Sequence, residues 1–162
     1  MNPLLLAILG FNLAATKLIE DDERRTIFNA ARNHANTLNQ PLVNYGCGTK
    51  QPYANQSDIN LDCTPRNVPR FTLIPRDGRI PLPNNSAIIY AAHVLEHVDN
   101  PEKVLKEMTR VGPTYIALPK WYNLSNWVHP NHKRIFTSGN PIENPLSFTL
   151  PIIAGTILLL LA

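Results

Sequence analysis

Apolar residues are arranged along this chain in three ways: long uncharged runs near the ends, short clusters in the middle, and helical stripes between them. The first run is Pro3-Leu4-Leu5-Leu6-Ala7-Ile8-Leu9-Gly10-Phe11, and the last extends from Leu150 to Leu161. A helix of about 17 residues covers roughly 25 Å, the short edge of what spans a bilayer. The pattern therefore predicts an apolar membrane helix over 1–19, a folded domain over 20–140, and a second apolar membrane helix over 146–162.

Between these ends, residues 20–38 read as a helix. Acidic Glu20 to Glu23 precede basic Arg24 and Arg25, as a helix dipole favours, and Ile27, Ala30, Ala31 and Leu38 form a candidate apolar stripe. Gln40-Pro41 breaks it. Short strands are predicted at Leu42 to Tyr45, Asp58 to Asp62, Arg70 to Ile74, Ala87 to Ala92 and Thr114 to Leu118. Asn100-Pro101 opens a helix over about 102–111, with Val104, Leu105, Met108 and Val111 on its apolar face. Strands alternating with connections imply a parallel α/β sheet. The connections Gly48 to Asn60 and Cys63 to Arg70 are too short for good crossover helices. One face of the sheet must therefore be covered by the amino-terminal helix, a partner or a membrane.

Charge adds an orientation. All 15 Lys and Arg lie between Lys17 and Arg134, and the net charge is +3. With both ends inserted, that distribution places the central domain on the cytoplasmic side of a membrane. Membrane lipids, and other subunits of a membrane complex, are then the expected partners. The basic residues are scattered and accompany no recognition motif, which argues against nucleic acid. Two cysteines, Cys47 and Cys63, make no disulfide framework.

The chemistry-bearing segments begin with Leu42-Val43-Asn44-Tyr45-Gly46-Cys47-Gly48, an apolar run stopping in Gly-x-Gly. Asp62 follows Gly48 by 14 residues, at the end of the next apolar run. A glycine loop followed by a carboxylate at the next strand tip is how a Rossmann-like sheet holds a nucleoside. His93-Val94-Leu95-Glu96-His97 also fits H-x-x-E-H, which on a helix would bring two histidines to one face for zinc, with Glu143 as a downstream ligand. The neighbouring segments account for the same residues without a metal, so none is expected. His129 and His132 read as solvated loop histidines. Trp121, Tyr122 and Trp127 suit a membrane interface, the lid of an apolar pocket, or ordinary packing.

Taken together, four blocks resemble class I S-adenosylmethionine-dependent methyltransferases, particularly the small methyltransferase-type-11 group. They are Val43 to Gly48; Asn60-Leu61-Asp62; Arg76 to Ser86; and His93 to His97 with Glu107-Met108-Thr109-Arg110-Val111. The run Pro130 to Phe136 is similar to a histidine-containing segment that follows the fifth strand in such proteins. The resemblance implies a minimal Rossmann-like sheet of about five mostly parallel strands and S-adenosylmethionine as cofactor. It implies that Gly46, Cys47 and Gly48 face the methionyl part, Asp62 accepts from the ribose hydroxyls, and Asp77 lies near the adenine. His93, and more weakly His132, are its catalytic candidates.

Asn44 stands where the family commonly has an acidic residue, Lys50 where it has a third glycine, and the last two strands of the family fold are not evident. Two functions are compatible with this pattern: a membrane-anchored methyltransferase acting on a small or lipid-linked substrate, and a catalytically degenerate accessory subunit of a membrane complex.

Overall fold

The computed structural model describes residues 3–49, 52–137 and 141–143. They fall into two units: residues 21–118, and residues 1–20 with 119–162. The larger unit holds five strands: β1 (Leu42–Tyr45), β2 (Ile59–Asp62), β3 (Phe71–Leu73), β4 (Ile88–Ala92) and β5 (Thr114–Ala117). They form one sheet in the order β3-β2-β1-β4-β5, and every adjacent pair is parallel. The expected strands are thus all present, trimmed by a residue or two at their ends.

The missing crossover helices have a physical replacement. Helix α1 runs without interruption from Pro3 to Leu38. Its Phe28, Ala31 and Ala35 pack on Leu42, Ile88, Tyr90, Ala92 and Ala117, covering one face of the sheet. The buried stripe is rotated from the expected one, because Ala30 and Leu38 are exposed. Phe28 sets the phase: its ring lies 4.7 Å from that of Tyr53 and 5.1 Å, edge-on, from that of Tyr90. Tyr53 belongs to a short 3-10 turn, Pro52–Asn55, which takes the place of a helix between β1 and β2.

The connection from β2 to β3 is held by its own side chains. Asn60 donates to the carbonyls of Ala54 and Pro69 at 2.8 and 2.7 Å, and Arg70 donates to those of Ser57 and Asn55 at 2.8 Å each. On the strand side facing away from α1, helix α2 (Pro101–Val111) buries Val104, Met108 and Val111. Asn100 caps it by accepting from Lys103 N–H at 2.9 Å, and Pro101 occupies its first turn as the sequence indicates. Leu105, expected on the buried face, is exposed.

The smaller unit contains the first part of α1, helix α3 (Leu124–Val128), and strands β6 (Arg134–Phe136) and β7 (Pro141–Glu143). β6 and β7 pair antiparallel as a separate two-stranded sheet, which the sequence did not reveal. Glu20 is nearly buried and accepts from Lys120 N–H at 2.8 Å and Asn123 Nδ2 at 3.1 Å. Trp127 donates to the Trp121 carbonyl at 2.6 Å, so this aromatic pair is joined within its own loop.

The membrane expectation is corrected at the amino-terminal end. Among the described residues, no helix is long and apolar enough to cross a membrane. The apolar run is only the start of a 36-residue helix. Asn12, Thr16, Lys17 and Glu20 interrupt it, and Thr16 and Glu20 are buried within the protein. The second apolar run, 146–162, lies outside the described residues.

Candidate active site

In an open parallel sheet the ligand crevice lies beyond the carboxyl ends of the strands, where the strand order reverses. Here the reversal falls between β1 and β4. Gly46, the first residue after β1, has φ +68°, and a Cβ there would lie 2.4 Å from Cγ2 of Val94. Val94 follows β4, so the crossing of these two segments demands glycine at this point. Gly46 N–H and Cys47 N–H both donate to the Leu61 carbonyl, at 2.8 and 3.0 Å, which ties the loop to β2.

Asp62 ends β2 and meets the same loop. Its Oδ2 accepts from Gly48 N–H at 3.1 Å and from Arg66 Nε at 2.9 Å, while Oδ1 accepts from Thr64 N–H at 2.9 Å. Cys47 is buried between the glycines, and burial, followed by the nearby Asp62 charge, pushes its thiol up to about 11. It therefore stays protonated at neutral pH and is no nucleophile. Cys63 is exposed, and both thiols are free.

Asp77 sits in an exposed turn, where Oδ1 accepts from Arg79 N–H at 3.1 Å. The next residue, Gly78, accepts from the Tyr45 hydroxyl at 3.4 Å. That bond sets the Asp77 turn beside the end of β1. Burial pushes the Tyr45 hydroxyl up to about 12, keeping it a donor.

His93 follows β4 directly, in a left-handed conformation with φ +55°. Its Nδ1 lies 2.8 Å from a terminal nitrogen of Arg24 on α1. Arginine is only a donor, so Nδ1 is the acceptor and the neutral ring carries its proton on Nε2. Residues 93–99 form bends and turns. The H-x-x-E-H spacing therefore does not lie on a helix: residues 93–99 contain no helical segment, and the positive φ of His93 interrupts any helical register.

Beneath the loop, Asn44 is fully buried and donates through Nδ2 to Asn60 Oδ1 at 3.1 Å, while its own Oδ1 has no partner among the described residues. Arg110 and Glu107, on α2, grip the segment before β4. Arg110 donates to the carbonyls of Ile80 and Leu82 at 3.0 Å each, and Glu107 accepts from Ile80 N–H at 2.9 Å.

Gly46, Cys47, Gly48 and Asp62 are thus joined directly, Asp77 and His93 stand on segments in contact with the loop, and His132 belongs to the other unit. His132 is a correction to the reading as a solvated loop residue. It is 6% exposed, donates from Nδ1 to the Asn126 carbonyl at 3.1 Å, and stacks on His129 at 4.3 Å.

Residues 43–112 match the family model of a methyltransferase domain. This stretch is similar to class I methyltransferase domains. Domains of this family depend on S-adenosylmethionine and bind it. Comparison with curated proteins and with solved structures gives no match. The matched stretch includes Gly46, Cys47, Gly48, Asp62, Asp77 and His93 and ends at Gly112, short of β5 and of His132.

The residues present fit the cofactor class. A loop without Cβ at Gly46 permits close backbone approach, and a carboxylate at the next strand end supplies the acceptor that a ribose needs. Arg24 and Arg66 were not legible as parts of the site. Arg24 lies in the charge cluster that reads as a helix terminus, and Arg66 in a loop without periodicity.

Proposed function

We propose that this chain is a methyltransferase whose cofactor lies against Gly46, Cys47, Gly48 and Asp62, with Asp77 toward the base and His93 toward the acceptor substrate. The observation that carries the proposal is the Gly48 N–H to Asp62 Oδ2 contact, which joins the loop and the carboxylate at the strand-order reversal. S-adenosylmethionine, when bound, supplies an electrophilic methyl group. The chain's own part is mainly positioning, which for two reactants held in line is worth several orders of magnitude in rate. His93, with its Nε2–H, orients an acceptor atom carrying a lone pair. It is not set up to take a proton at Nδ1, because Arg24 occupies that nitrogen.

Lipid association is part of the proposal in a limited form. Leu4, Phe11 and Leu18 recur every seven residues along α1 and are exposed, which supports contact of that helix face with a lipid surface. The substrate is then small or lipid-linked. Co-sedimentation with neutral phosphatidylcholine vesicles checks this, and Phe11→Ser should weaken it.

The cofactor reading is tested by isothermal titration of the full chain with S-adenosylhomocysteine. Asp62→Asn, which keeps the side-chain shape, should weaken binding at least tenfold, the effect of losing a charged acceptor. Binding unaffected by Asp62→Asn would remove the proposed site. A non-catalytic accessory role is the second reading, favoured by one observation: the chain's own donors occupy most of the Asp62 carboxylate. A chain that binds no cofactor and co-purifies with stable partners would establish it instead.

A further inference from the structure

A carboxylate offers about four lone-pair sites for hydrogen bonds. In Asp62, Gly48 N–H and Arg66 Nε occupy two on Oδ2, and Thr64 N–H occupies one on Oδ1. Among the described residues one site remains, whereas a ribose presents two adjacent hydroxyls. The side chain of Asp62 is also only 8% exposed. For both hydroxyls to bind, one present donor has to leave. Gly48 and Thr64 donate from the backbone, and Gly48 sits in a loop pinned to Leu61. Arg66 donates from a side chain 28% exposed, four residues from Asp62 along the chain. Its long stem lets the guanidinium rotate into solvent without moving the loop, and exposed ion pairs of this kind are weak.

We infer that Arg66 is a latch on the ribose acceptor: the free protein holds the Asp62 carboxylate closed, and a ribose-bearing ligand must displace the guanidinium to bind. This rests on the cofactor reading above, and it adds a residue that lowers affinity rather than raising it. Arg66 thereby sets how much cofactor is needed to fill the site. Salt should act in the same direction as removing the latch, because it screens the Arg66–Asp62 attraction.

The test uses the full chain and titrates wild type, Arg66→Met and Arg66→Lys with S-adenosylhomocysteine, adenosine and 2′,3′-dideoxyadenosine. Arg66→Met should bind the first two about fivefold more tightly than wild type, the scale of one part-exposed ion pair, with Arg66→Lys between them. Raising the salt concentration should narrow the gap. The dideoxy compound, lacking both hydroxyls, should show no gain.

Equal or weaker binding by Arg66→Met would overturn the latch while leaving the cofactor reading intact. A gain of the same size with the dideoxy compound would also overturn it, since the effect would lie away from the hydroxyls. If no protein binds any of the three ligands, the cofactor reading itself fails and the latch with it. Binding by Arg66→Met alone supports the latch most strongly.

Discussion

Arg24, on helix α1, donates a hydrogen bond to Nδ1 of His93, which follows β4, across 2.8 Å. The helix that covers the sheet therefore also fixes the ring of the residue next to the proposed cleft. Tyr90 strengthens the arrangement by donating to the Arg24 carbonyl at 3.3 Å.

The protonation pattern of His93 follows from this contact. Long-range nitrogen–proton NMR correlation should show neutral His93 with its proton on Nε2. In Arg24→Met the Nδ1 position opens and the Nδ1–H tautomer should gain population. A wild-type ring protonated at Nδ1 in its neutral form would contradict the assignment.

Asn44 departs from the family pattern for a reason visible in its neighbour. Asn60 points its Oδ1 at Asn44 and uses its own Nδ2 on the Ala54 and Pro69 carbonyls. An aspartate at 44 would set a buried charge against that oxygen with no donor to meet it. Asn44→Asp should therefore destabilise the fold by about 3 kcal/mol, the cost of an unpaired buried polar or charged group. The shift of the urea midpoint measures it, and an unchanged midpoint would mean that the Asn60 amide turns over at little cost.

A second packing constraint lies at the end of α2. A Cβ on Gly112 would stand 2.0 Å from the Ala87 carbonyl oxygen, in backbone that cannot move without breaking the start of β4. Gly112→Ala should cost about 3 kcal/mol or more, at the upper end of overpacking effects. Thermal unfolding of the variant gives the value, and a loss below about 1 kcal/mol would show that the crossing yields more easily than its geometry implies.

The central strands β1 and β4 were legible because each is a short, fully buried cluster, β1 bounded by Pro41 and Gly46 and β4 preceded by Asn84-Asn85. The Gly46 loop and Asp62 were legible for the same reason: both sit at strand ends, where spacing alone brings them together. Arg24 and Arg66 were not, since their roles depend on long side chains reaching a partner that periodicity does not encode. The stripe on α1 was misplaced because Phe28 pairs with Tyr53 and Tyr90, aromatic contacts set by tertiary packing. Lys50 lies outside the described residues, so the third-glycine departure has no structural counterpart here.

Glu107 gives the domain an acid-sensitive joint. Arg110 donates to both of its carboxylate oxygens, at 2.7 and 2.8 Å, and Ile80 N–H donates at 2.9 Å. The hydrogen bonds from Arg110, against an opposing burial effect, bring its carboxyl from the ordinary 4.5 down to about 2. A lowered folded-state value means that the charged form favours folding. This contribution is complete above about pH 4.5 and is lost as pH falls from there toward 2. The carboxylate is 20% exposed, so solvent screening reduces the contribution to about 1–2 kcal/mol. Wild type should lose about 1 kcal/mol more stability than Glu107→Gln between pH 6 and pH 3, the larger part of this contribution, measured by urea unfolding at each pH. Parallel curves for the two proteins would show that Arg110 holds the Ile80 and Leu82 carbonyls without help from the charge on Glu107.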